Sequence, residues 1–393
     1  MKTKIQFVLA VAVVAAFSTV VSAGASPKTL KGTACPVLGL TVNYKGLKYT
    51  CVKVSVVVKK KTVKKLEWNA GVKIVPVTTT TAVGTAPLPT QNFDNTPAGA
   101  LLWQESFTAA AGTSPDQNVW TPVTGFGTYG TGEIENNTSL PSNVSTDGNG
   151  NLVITATCVA TTSPGCTATN QPMGQTWTSA RIWTSGKATF QYGQLEARIW
   201  MPTGSYNWPA FWMMGQEYTS GAPQTGWPYC GELDIAEGLQ NDTQDQATIH
   251  SNETGSSADW AQGGGLTQIA PISTAQMTSG YNNYGIVWAP NTITFILNGK
   301  AWARDTYNPK TMDVTQTIIV SGKQQSATFG PGTAITSIGG NWPFNNPFFI
   351  ILNDAIGGIV SPVAPNGTSS TMKIQWVHYY KNGNYGTTTA SSN

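Results

Sequence analysis

Apolar and polar residues alternate in several short segments of the chain, and this pattern predicts β-strands rather than helices. In QLEARIWM (194–201) every second side chain from Leu195 to Met201 is apolar, which is the period of a strand with one buried face. NLVITA (151–156) and FFIILNDAIGG (348–358) are apolar runs of strand length. No segment shows a 3.6-residue apolar period long enough for a helix of useful length.

Turn residues between these segments indicate antiparallel pairing. TITFILNGKAWAR (292–304) predicts a hairpin that reverses at Asn298-Gly299, and MKIQWVHYYK (372–381) is predicted to be the closing strand. Many short strands over about 280 residues, separated by Gly, Pro and Asn, predict an all-β sandwich of two antiparallel sheets.

Residues 1–23 have the features of a secretory signal peptide. Lys2 and Lys4 precede the apolar run 7–17, and Val-Ser-Ala at 21–23 has the small residues of a peptidase site. The run is shorter than the roughly 20 residues of a membrane span, so a retained anchor is the less favoured alternative. We expect a secreted, extracellular protein without a membrane span.

Composition separates the rest of the chain into a small basic Cys-paired module (24–75), a Thr/Pro-rich linker (76–98) and a main domain (99–393). The first 75 residues hold 13 basic side chains and one acid, whereas the remainder holds nine basic and 18 acidic side chains. The module is interpreted either as a unit that contacts anionic envelope polymers or as a solvated unit without a ligand. The acidic main domain argues against nucleic acid as a partner, and a monomer is expected.

Five cysteines are consistent with an oxidising compartment. The predicted disulfides are Cys35–Cys51 and Cys158–Cys166, because each pair flanks a short segment. Cys230 is left over, and we interpret it as a buried free thiol rather than a nucleophile. The chain has only two histidines, and neither is near Cys230 in sequence.

CGELDIAEG (230–238) gathers three acids in a chain of which only 10% of residues are charged. Alternation places Glu232 and Asp234 on one face of a strand. Glu237 joins that face only if a β-bulge at Ala236, or at Ile235 with it, absorbs one extra residue. With such a bulge, the three carboxyl groups can act together.

Three neighbouring carboxyl groups suit glycoside hydrolysis. One carboxylate attacks the anomeric carbon, and a carboxylic acid about 5–5.5 Å away protonates the leaving oxygen. Like-charge repulsion within the group raises at least one pKa and keeps that acid protonated near neutral pH. The alternatives are a calcium site or a solvated acidic strand, but calcium prefers oxygens arranged around a loop.

Tryptophans accompany the acids. The chain has 14 Trp, and Trp208, Trp212 and Trp227 closely precede the cluster. Aromatic faces stack on sugar rings, so these side chains are candidates for sugar subsites. Core packing is the alternative for some of the tryptophans.

These motifs resemble those of bacterial glycoside hydrolase family 16, especially its endo-β-1,3-glucanases (laminarinases), over about residues 101–382. The resemblance rests on E-x-D-x-x-E within GWPYCGELDIAEG, on SARIWTSGKATFQYGQLEARIWMPTGSYNWPAFWMMG (179–215) upstream and on NWPFNNPFFIILNDAIGG (341–358) downstream. It implies a β-jelly roll with an open concave cleft and hydrolysis with retention of anomeric configuration.

The same resemblance implies roles for individual residues. Glu232 corresponds to the nucleophile, Glu237 to the acid/base, and Asp234 to the residue that assists and orients the nucleophile. The positions implied to contact substrate are Arg181, Trp208, Trp212, Trp227, His250 and Asn353.

The sequence departs from the family pattern at three places. Gly130-Thr131-Gly132-Glu133 replaces G-N-G-E, Glu105-Ser106-Phe107 replaces Asp-Glu-Phe, and Gln375 stands where an acid is frequent. The last two changes affect acids that help hold a structural calcium ion in many relatives, which argues against calcium here. The sequence contains no metal-ligand cluster, and no cofactor is expected to be required.

We therefore expect an enzyme that cleaves internal β-1,3 bonds of laminarin-like β-glucans through a glycosyl-enzyme intermediate. One alternative is the same fold acting on mixed-linkage β-1,3-1,4-glucan or a marine galactan, because agarases and carrageenases share the catalytic motif. Others are a transglycosylase and a non-catalytic glucan-binding protein, although such binding proteins typically lack the two glutamates.

Overall fold

The chain divides into two compact units, Met1–Ala86 and Pro87–Asn393. The computed structural model describes residues 31, 41–44, 47–58, 61–70, 72–73, 98–126, 131–158, 177–202, 207–219, 226–239, 244–251, 266–320, 323–329, 342–357 and 369–390. The predicted signal peptide (1–23) and all of the predicted linker except its last residue lie outside the described residues.

The described part of the first unit is a four-stranded antiparallel sheet. Its strands are β1 (Thr41–Tyr44), β2 (Leu47–Val58), β3 (Lys61–Trp68) and β4 (Val72–Lys73). Lys65 and Glu67 form an ion pair on β3. Cys51 lies on β2, but its predicted partner Cys35 is outside the described residues, so that disulfide stays a prediction.

The described part of the second unit is almost entirely β-structure. Its strands are β5 (Leu101–Ser106), β6 (Thr121–Pro122), β7 (Gly125–Phe126), β8 (Glu135–Asn137), β9 (Val144–Thr146), β10 (Leu152–Cys158), β11 (Trp177–Ser179), β12 (Arg181–Trp183), β13 (Phe190–Gln191), β14 (Gly193–Trp200), β15 (Asn207–Gly215), β16 (Glu232–Leu239), β17 (Gln244–His250), β18 (Leu266–Ile269), β19 (Asn282–Ala289), β20 (Thr292–Leu297), β21 (Lys300–Asn308), β22 (Asp313–Val320), β23 (Lys323–Phe329), β24 (Phe348–Ile356), β25 (Ser369–Tyr380) and β26 (Thr387–Thr388).

The described helical segments are short. Helix α1 (Thr274–Ser279) begins with a capping box, in which Ser273 and Gln276 satisfy each other's backbone N–H groups. Gln216–Thr219 and Pro343–Asn345 form single 3₁₀ turns. None of the helices in the described residues is long and apolar enough to cross a membrane.

The strands form two large sheets. One has 13 strands with the main order β23-β22-β21-β20-β19-β14-β25-β10-β11-β8-β7, to which β5 and β9 add at β25 and β10. The other has nine strands with the main order β18-β17-β16-β15-β24-β12-β6, and β13 and β26 extend it beside β24. Pairing is antiparallel except between β8 and β11. The predicted all-β fold of two sheets is confirmed.

Both sheets contribute side chains to one hydrophobic core. On β14 the apolar series from Leu195 is buried, as its alternation predicts, and it shares the core with Phe211, Leu233 and Ile350 of the nine-stranded sheet. Burying each such large side chain contributes about 1.5–3 kcal/mol. The core therefore fixes which face of each strand carries the polar residues.

The predicted hairpin is confirmed, and its turn has the expected geometry. Asn298 and Gly299 have φ values of 50° and 76°, as a two-residue turn between twisted antiparallel strands requires. The prediction that MKIQWVHYYK (372–381), which forms most of β25, is the closing strand is wrong. Strand β26 follows β25 and pairs with β13. A two-residue strand such as Thr387–Thr388 is too short to show a periodic pattern.

Candidate active site

The three acids lie on β16, between β15 and β17 of the nine-stranded sheet. Leu233, Ile235 and Ala236 belong to the hydrophobic core, so the alternating polar side chains project from the opposite face. We call this opposite face, which carries Glu232, Asp234 and Glu237, the site face.

A register shift in β16 brings Glu237 to the site face. Along β15, Trp212 pairs with Asp234 but Phe211 pairs with Ala236, so one residue of β16 is skipped. Along β17, Thr248 pairs with Asp234 and Gln246 with Glu237, so two residues of β16 face one of β17. This is the β-bulge at Ile235 and Ala236 that the sequence predicts.

Each carboxyl group has its own hydrogen-bond donors. The Trp227 indole Nε1–H donates to Glu232 Oε2. Trp208 Nε1 donates to Glu237 Oε1 at 3.0 Å, and Gln246 Nε2 donates to Glu237 Oε2 at 3.2 Å. The structure thus holds Glu232 and Glu237 by separate donors at the two ends of the acidic group.

Asp234 lies between the two glutamates and interacts with both. His250 Nε2 is 3.1 Å from Asp234 Oδ2, and the Asp234 carboxyl group is hydrogen-bonded to that of Glu232. Such a bond between two carboxyl groups requires a shared proton. Asp234 is only 2% exposed, so the proton is shielded from bulk water.

Burial dominates the electrostatics of the group. Burial and the charge of Asp234 raise the pKa of Glu232 to about 8, although His250 and Trp227 oppose the change. Burial and the charge of Glu237 raise the pKa of Asp234 to about 6. Burial also raises the pKa of Glu237, although Gln246, His250 and Trp208 oppose the change. The group therefore retains protons near neutral pH.

A second set of predicted residues lies on neighbouring strands. The Arg181 guanidinium lies over the Trp212 ring, 4.6 Å from Cζ to the ring centroid, and Trp212 Nε1 donates to Asn353 Oδ1 at 2.7 Å. Arg181 and Asn353 are also strand partners on β12 and β24. Trp212 pairs directly with Asp234, which places this set beside the acids.

The tryptophans differ in how much surface they offer. Trp208 and Trp227 are half-buried, and the Trp227 ring centroid is 6.2 Å from that of His250. Trp212 is only 8% exposed and packs in an apolar cluster with Met214 and Phe349. Most of the Trp212 side chain is therefore packed against apolar residues, as the core-packing alternative predicts, and little of its surface is left to contact a sugar.

Two polar residues that sequence reasoning did not select also belong to the neighbourhood. Gln246 contacts Glu237, and the alternation of DQATIH would have indicated it once β17 was known to pair with β16. Glu133, known from the sequence only as part of a variant motif, is close enough to Glu232 for their charges to interact. Burial and the charge of Glu135 raise the pKa of Glu133 to about 8, and Arg181 lowers it.

The residues expected at a calcium site in relatives have protein partners here. Glu105 Oε2 accepts a hydrogen bond from Trp120 Nε1 at 3.2 Å, and Gln375 Oε1 accepts one from Arg198 Nε at 2.7 Å. An oxygen bound to a cationic donor is a poor calcium ligand. Gln375 therefore does not fit a calcium ion, and the described residues contain no group of three or more His, Cys, Asp or Glu arranged for a metal.

Two of the five cysteines, Cys230 and Cys158, lie in the described part of the second unit. Cys230 is free and buried, and its Sγ is 3.5 Å from Met214 Sδ. The prediction that Cys230 is a buried free thiol is confirmed. Burial and the charge of Glu232 raise the pKa of Cys230 to about 12. Cys158 is disulfide-bonded, whereas its predicted partner Cys166 lies outside the described residues.

Comparison with known proteins gives a consistent family assignment. The model of "Glycosyl hydrolases family 16" matches residues 135–331. A keratan-sulfate endo-1,4-beta-galactosidase of Sphingobacterium multivorum is 28% identical over 72% of this chain and 55% of its own length. A beta-glucanase of Rhodothermus marinus is 26% identical over 76% of this chain and 91% of its own length.

A solved structure shares both the fold and part of the sequence. The endo-beta-1,3-glucanase of Pyrococcus furiosus superposes with a TM-score of 0.52 and 27% identity. The match covers 72% of this chain and 94% of that one. The similarity is thus to nearly the whole of the solved chain, whereas the chain spans only about half of the galactosidase.

Proposed function

The chain belongs to glycosyl hydrolases family 16 and is a glycoside hydrolase, and on that premise we propose that it cleaves internal β-1,3-glucosidic bonds of laminarin-like glucans with retention. The observation that carries the proposal is the bulge, which gives Glu232 and Glu237 one common face and separate hydrogen-bond donors. Two carboxyl groups can act as nucleophile and acid/base only if each has its own surroundings, and here each glutamate has its own hydrogen-bond donors.

In the first step, Glu232 attacks the anomeric carbon. For this attack Glu232 must be ionised, so the proton that the two groups share resides on Asp234. The Glu232 carboxylate then forms a bond to the anomeric carbon while protonated Glu237 donates its proton to the leaving oxygen. The glycosidic bond breaks and a glycosyl ester on Glu232 remains.

In the second step, water replaces the ester. The Glu237 carboxylate takes a proton from the water, whose oxygen bonds to the anomeric carbon as the bond to Glu232 breaks. The donors on both Glu237 oxygens, Trp208 and Gln246, stabilise the ionised form between the two steps. Each displacement inverts the carbon, so the net result is retention.

The substrate class is supported by the relatives. The R. marinus relative is named a beta-glucanase and the P. furiosus structure an endo-beta-1,3-glucanase. The similarity to a keratan-sulfate galactosidase favours a second candidate, a galactan with the same hydrolytic steps. We further propose that residues 1–23 direct export, so that the enzyme meets its polysaccharide outside the cell.

The proposal is tested by product analysis on laminarin, lichenan and agarose. We expect the wild-type protein to release oligosaccharides fastest from laminarin, with the β-anomer appearing first by NMR. Glu232→Gln should abolish release, whereas Glu217→Gln, the same substitution at an exposed position, should leave it unchanged. Persistent turnover in Glu232→Gln would exclude the nucleophile assignment, and binding of laminarin without product would indicate a non-catalytic glucan-binding protein.

A further inference from the structure

Strand β17 places one polar residue opposite each of the three acids. The cross-strand pairs are Glu232 with His250, Asp234 with Thr248, and Glu237 with Gln246. Directly opposed side chains have Cβ atoms about 4.5–5.5 Å apart, which is close enough for their polar ends to interact. Gln246 is the neighbour of the acid/base, and its contact with Glu237 has consequences for both hydrolytic steps.

The bulge in β16 determines which residue of β17 lies opposite Glu237. In a regular ladder, Glu237 would face Asp245, which has the parity of the core residue Ala247. The bulge displaces the pairing by one residue, so Glu237 faces Gln246 on the site face instead. The same irregularity therefore brings the acid to the site face and gives it a polar neighbour there.

Gln246 holds one oxygen of the acid/base with its side-chain amide. Gln246 Nε2 donates to Glu237 Oε2 at 3.2 Å, while Trp208 Nε1 donates to Oε1 at 3.0 Å. Glu237 is only 8% exposed, so water competes little for these two oxygens. A donor favours the ionised carboxylate over the neutral acid, because the negative charge strengthens the hydrogen bond.

The two hydrolytic steps need different forms of Glu237. The first step needs the neutral acid, which donates its proton to the leaving oxygen. The second needs the carboxylate, which takes a proton from water as the water oxygen bonds to the anomeric carbon and the bond to Glu232 breaks. A donor to Oε2 therefore assists the second step and lowers the pH up to which the first step can proceed.

We propose that Gln246 is a positioning residue, which sets the balance between the two forms of Glu237 because its amide holds Oε2 and favours the carboxylate. The proposal rests on the proposed function, since it requires Glu237 to be the acid/base. Gln246 acts through Glu237 and needs no contact with substrate for this role. Loss of the amide shifts the balance toward the neutral acid, whereas a cation in its place shifts the balance further toward the carboxylate.

Ionisable groups also act on Glu237, and they are unaffected by a change at Gln246. Groups whose charges interact with that of Glu237 are found on β16 and β17, namely Glu232, Asp234, Asp245 and His250. Strand β15 presents the neutral Ala210 opposite Glu237. Burial raises the pKa of Glu237, and the bond from Gln246 opposes this change more than His250 or Trp208 does. A substitution at Gln246 therefore isolates the effect of the amide.

The test measures pH profiles on two substrates, because each substrate reports one form of Glu237. The alkaline limb of kcat/KM on laminarin reports the acid in the free enzyme. The second substrate, 2,4-dinitrophenyl β-laminaribioside, has a leaving group that needs little protonation, and a burst of dinitrophenolate verifies that the second step limits its turnover. The acid limb of its steady-state rate then reports the carboxylate in the glycosyl-enzyme. The midpoint of a limb does not depend on the fraction of folded enzyme, so a loss of stability cannot imitate a shift.

Two substitutions of Gln246 should move these midpoints in opposite directions. Gln246→Met keeps the length of the side chain but removes the donor, so both midpoints should move up by about one pH unit. Release of dinitrophenolate on the acid limb should then be about 10-fold slower, while the KM for laminarin changes less than about twofold. Gln246→Lys places a cation beside Glu237, and both midpoints should move down by about one pH unit or more.

Thr248→Val is the matched control. Thr248 lies two residues further along the same face of β17, but its Oγ1 bonds Thr267 Oγ1 at 3.1 Å. Val has the shape of Thr without the hydroxyl group, and Thr267 is exposed, so water can replace the lost partner. Both midpoints of Thr248→Val should be those of wild type.

The outcomes separate the role of Gln246 from its premise. Unmoved midpoints in Gln246→Met, or an upward shift in Gln246→Lys, would overturn that role. A shift in Thr248→Val equal to that in Gln246→Met would show that any change on this face of β17 has the same effect, and would overturn it too. A wild-type protein that releases neither product, or a Glu237→Gln variant that keeps full turnover of laminarin, would instead refute the proposed function and the role of Gln246 with it.

Discussion

Deletion of one residue is expected to remove the bulge in β16 and to leave the other strand pairings unchanged. Ile235 and Ala236 together face one residue of β17, while Asp234 faces Thr248 and Glu237 faces Gln246. Deleting Ala236 makes this ladder regular and leaves Glu237 opposite Gln246 on the site face. The deletion shortens the acidic motif by one residue but keeps its three acids together, so we expect hydrolysis to survive.

The expected magnitudes follow from position and burial. A displacement of about 1 Å in a catalytic group can cost about 100-fold, so the Ala236 deletion should keep kcat within about 100-fold of wild type. Loss of a nucleophile costs about 10⁴-fold or more. Deleting Ile235 instead leaves the same pattern of acids but removes a large core side chain, which costs about 2–5 kcal/mol.

The assay combines thermal unfolding with release of reducing sugar from laminarin. We expect the two deletions to have similar kcat, with the Ile235 deletion unfolding at a lower temperature. Deletion of Leu233 is the control, because it lies outside the bulge and turns Glu232 toward the core beside Met213 and Ile249. A folded Ala236 deletion that is as inactive as Glu232→Gln would show that hydrolysis requires the bulge.

Three further predictions concern residues around the site and in the core. Because burial raises the pKa of Cys230 to about 12, iodoacetamide at pH 8 should label it only after unfolding, and labelling of the native protein would contradict this. Trp212→Phe removes the donor to Asn353 Oδ1, so kcat/KM should fall about 10-fold while the fold is kept, and an unchanged value would exclude a role for that bond. Burial raises the pKa of Asp305 to about 8, above its unfolded value, so native protein binds the extra proton and loses stability as pH rises from about 4 to 8. Chemical denaturation should show a shallower loss over that range for Asp305→Asn, and an identical pH dependence would refute the assignment.

The sequence predicted those features that depend on local periodicity. Alternation from Leu195 to Met201 identified the buried face of β14, and the five-residue step from Glu232 to Glu237 identified the bulge. Both inferences use only the parity of side chains along one strand. The Asn298-Gly299 turn was equally local, because its positive φ angles favour those two residues.

Features that depend on strand pairing could not be read from the sequence. Gln246 reaches Glu237 only because β17 pairs with β16 in one register. Glu133 comes near Glu232 from a segment about a hundred residues earlier in the chain. The strand β26 was missed for the same reason, since its pairing with β13 spans almost 200 residues.

The tryptophans of the site were selected as platforms for sugar rings, but the structure gives them a second task. Trp227, Trp208 and Trp212 donate their indole N–H groups to Glu232, Glu237 and Asn353 respectively. A Lys or Arg at hydrogen-bond distance would orient a carboxylate equally well but would lower its pKa by about 1–3, which would deprive the acid of its proton near neutral pH. A neutral indole donor fixes the position of the carboxyl group while burial keeps its pKa raised. Trp227 and Trp208 therefore hold the two glutamates in place while leaving them able to carry protons.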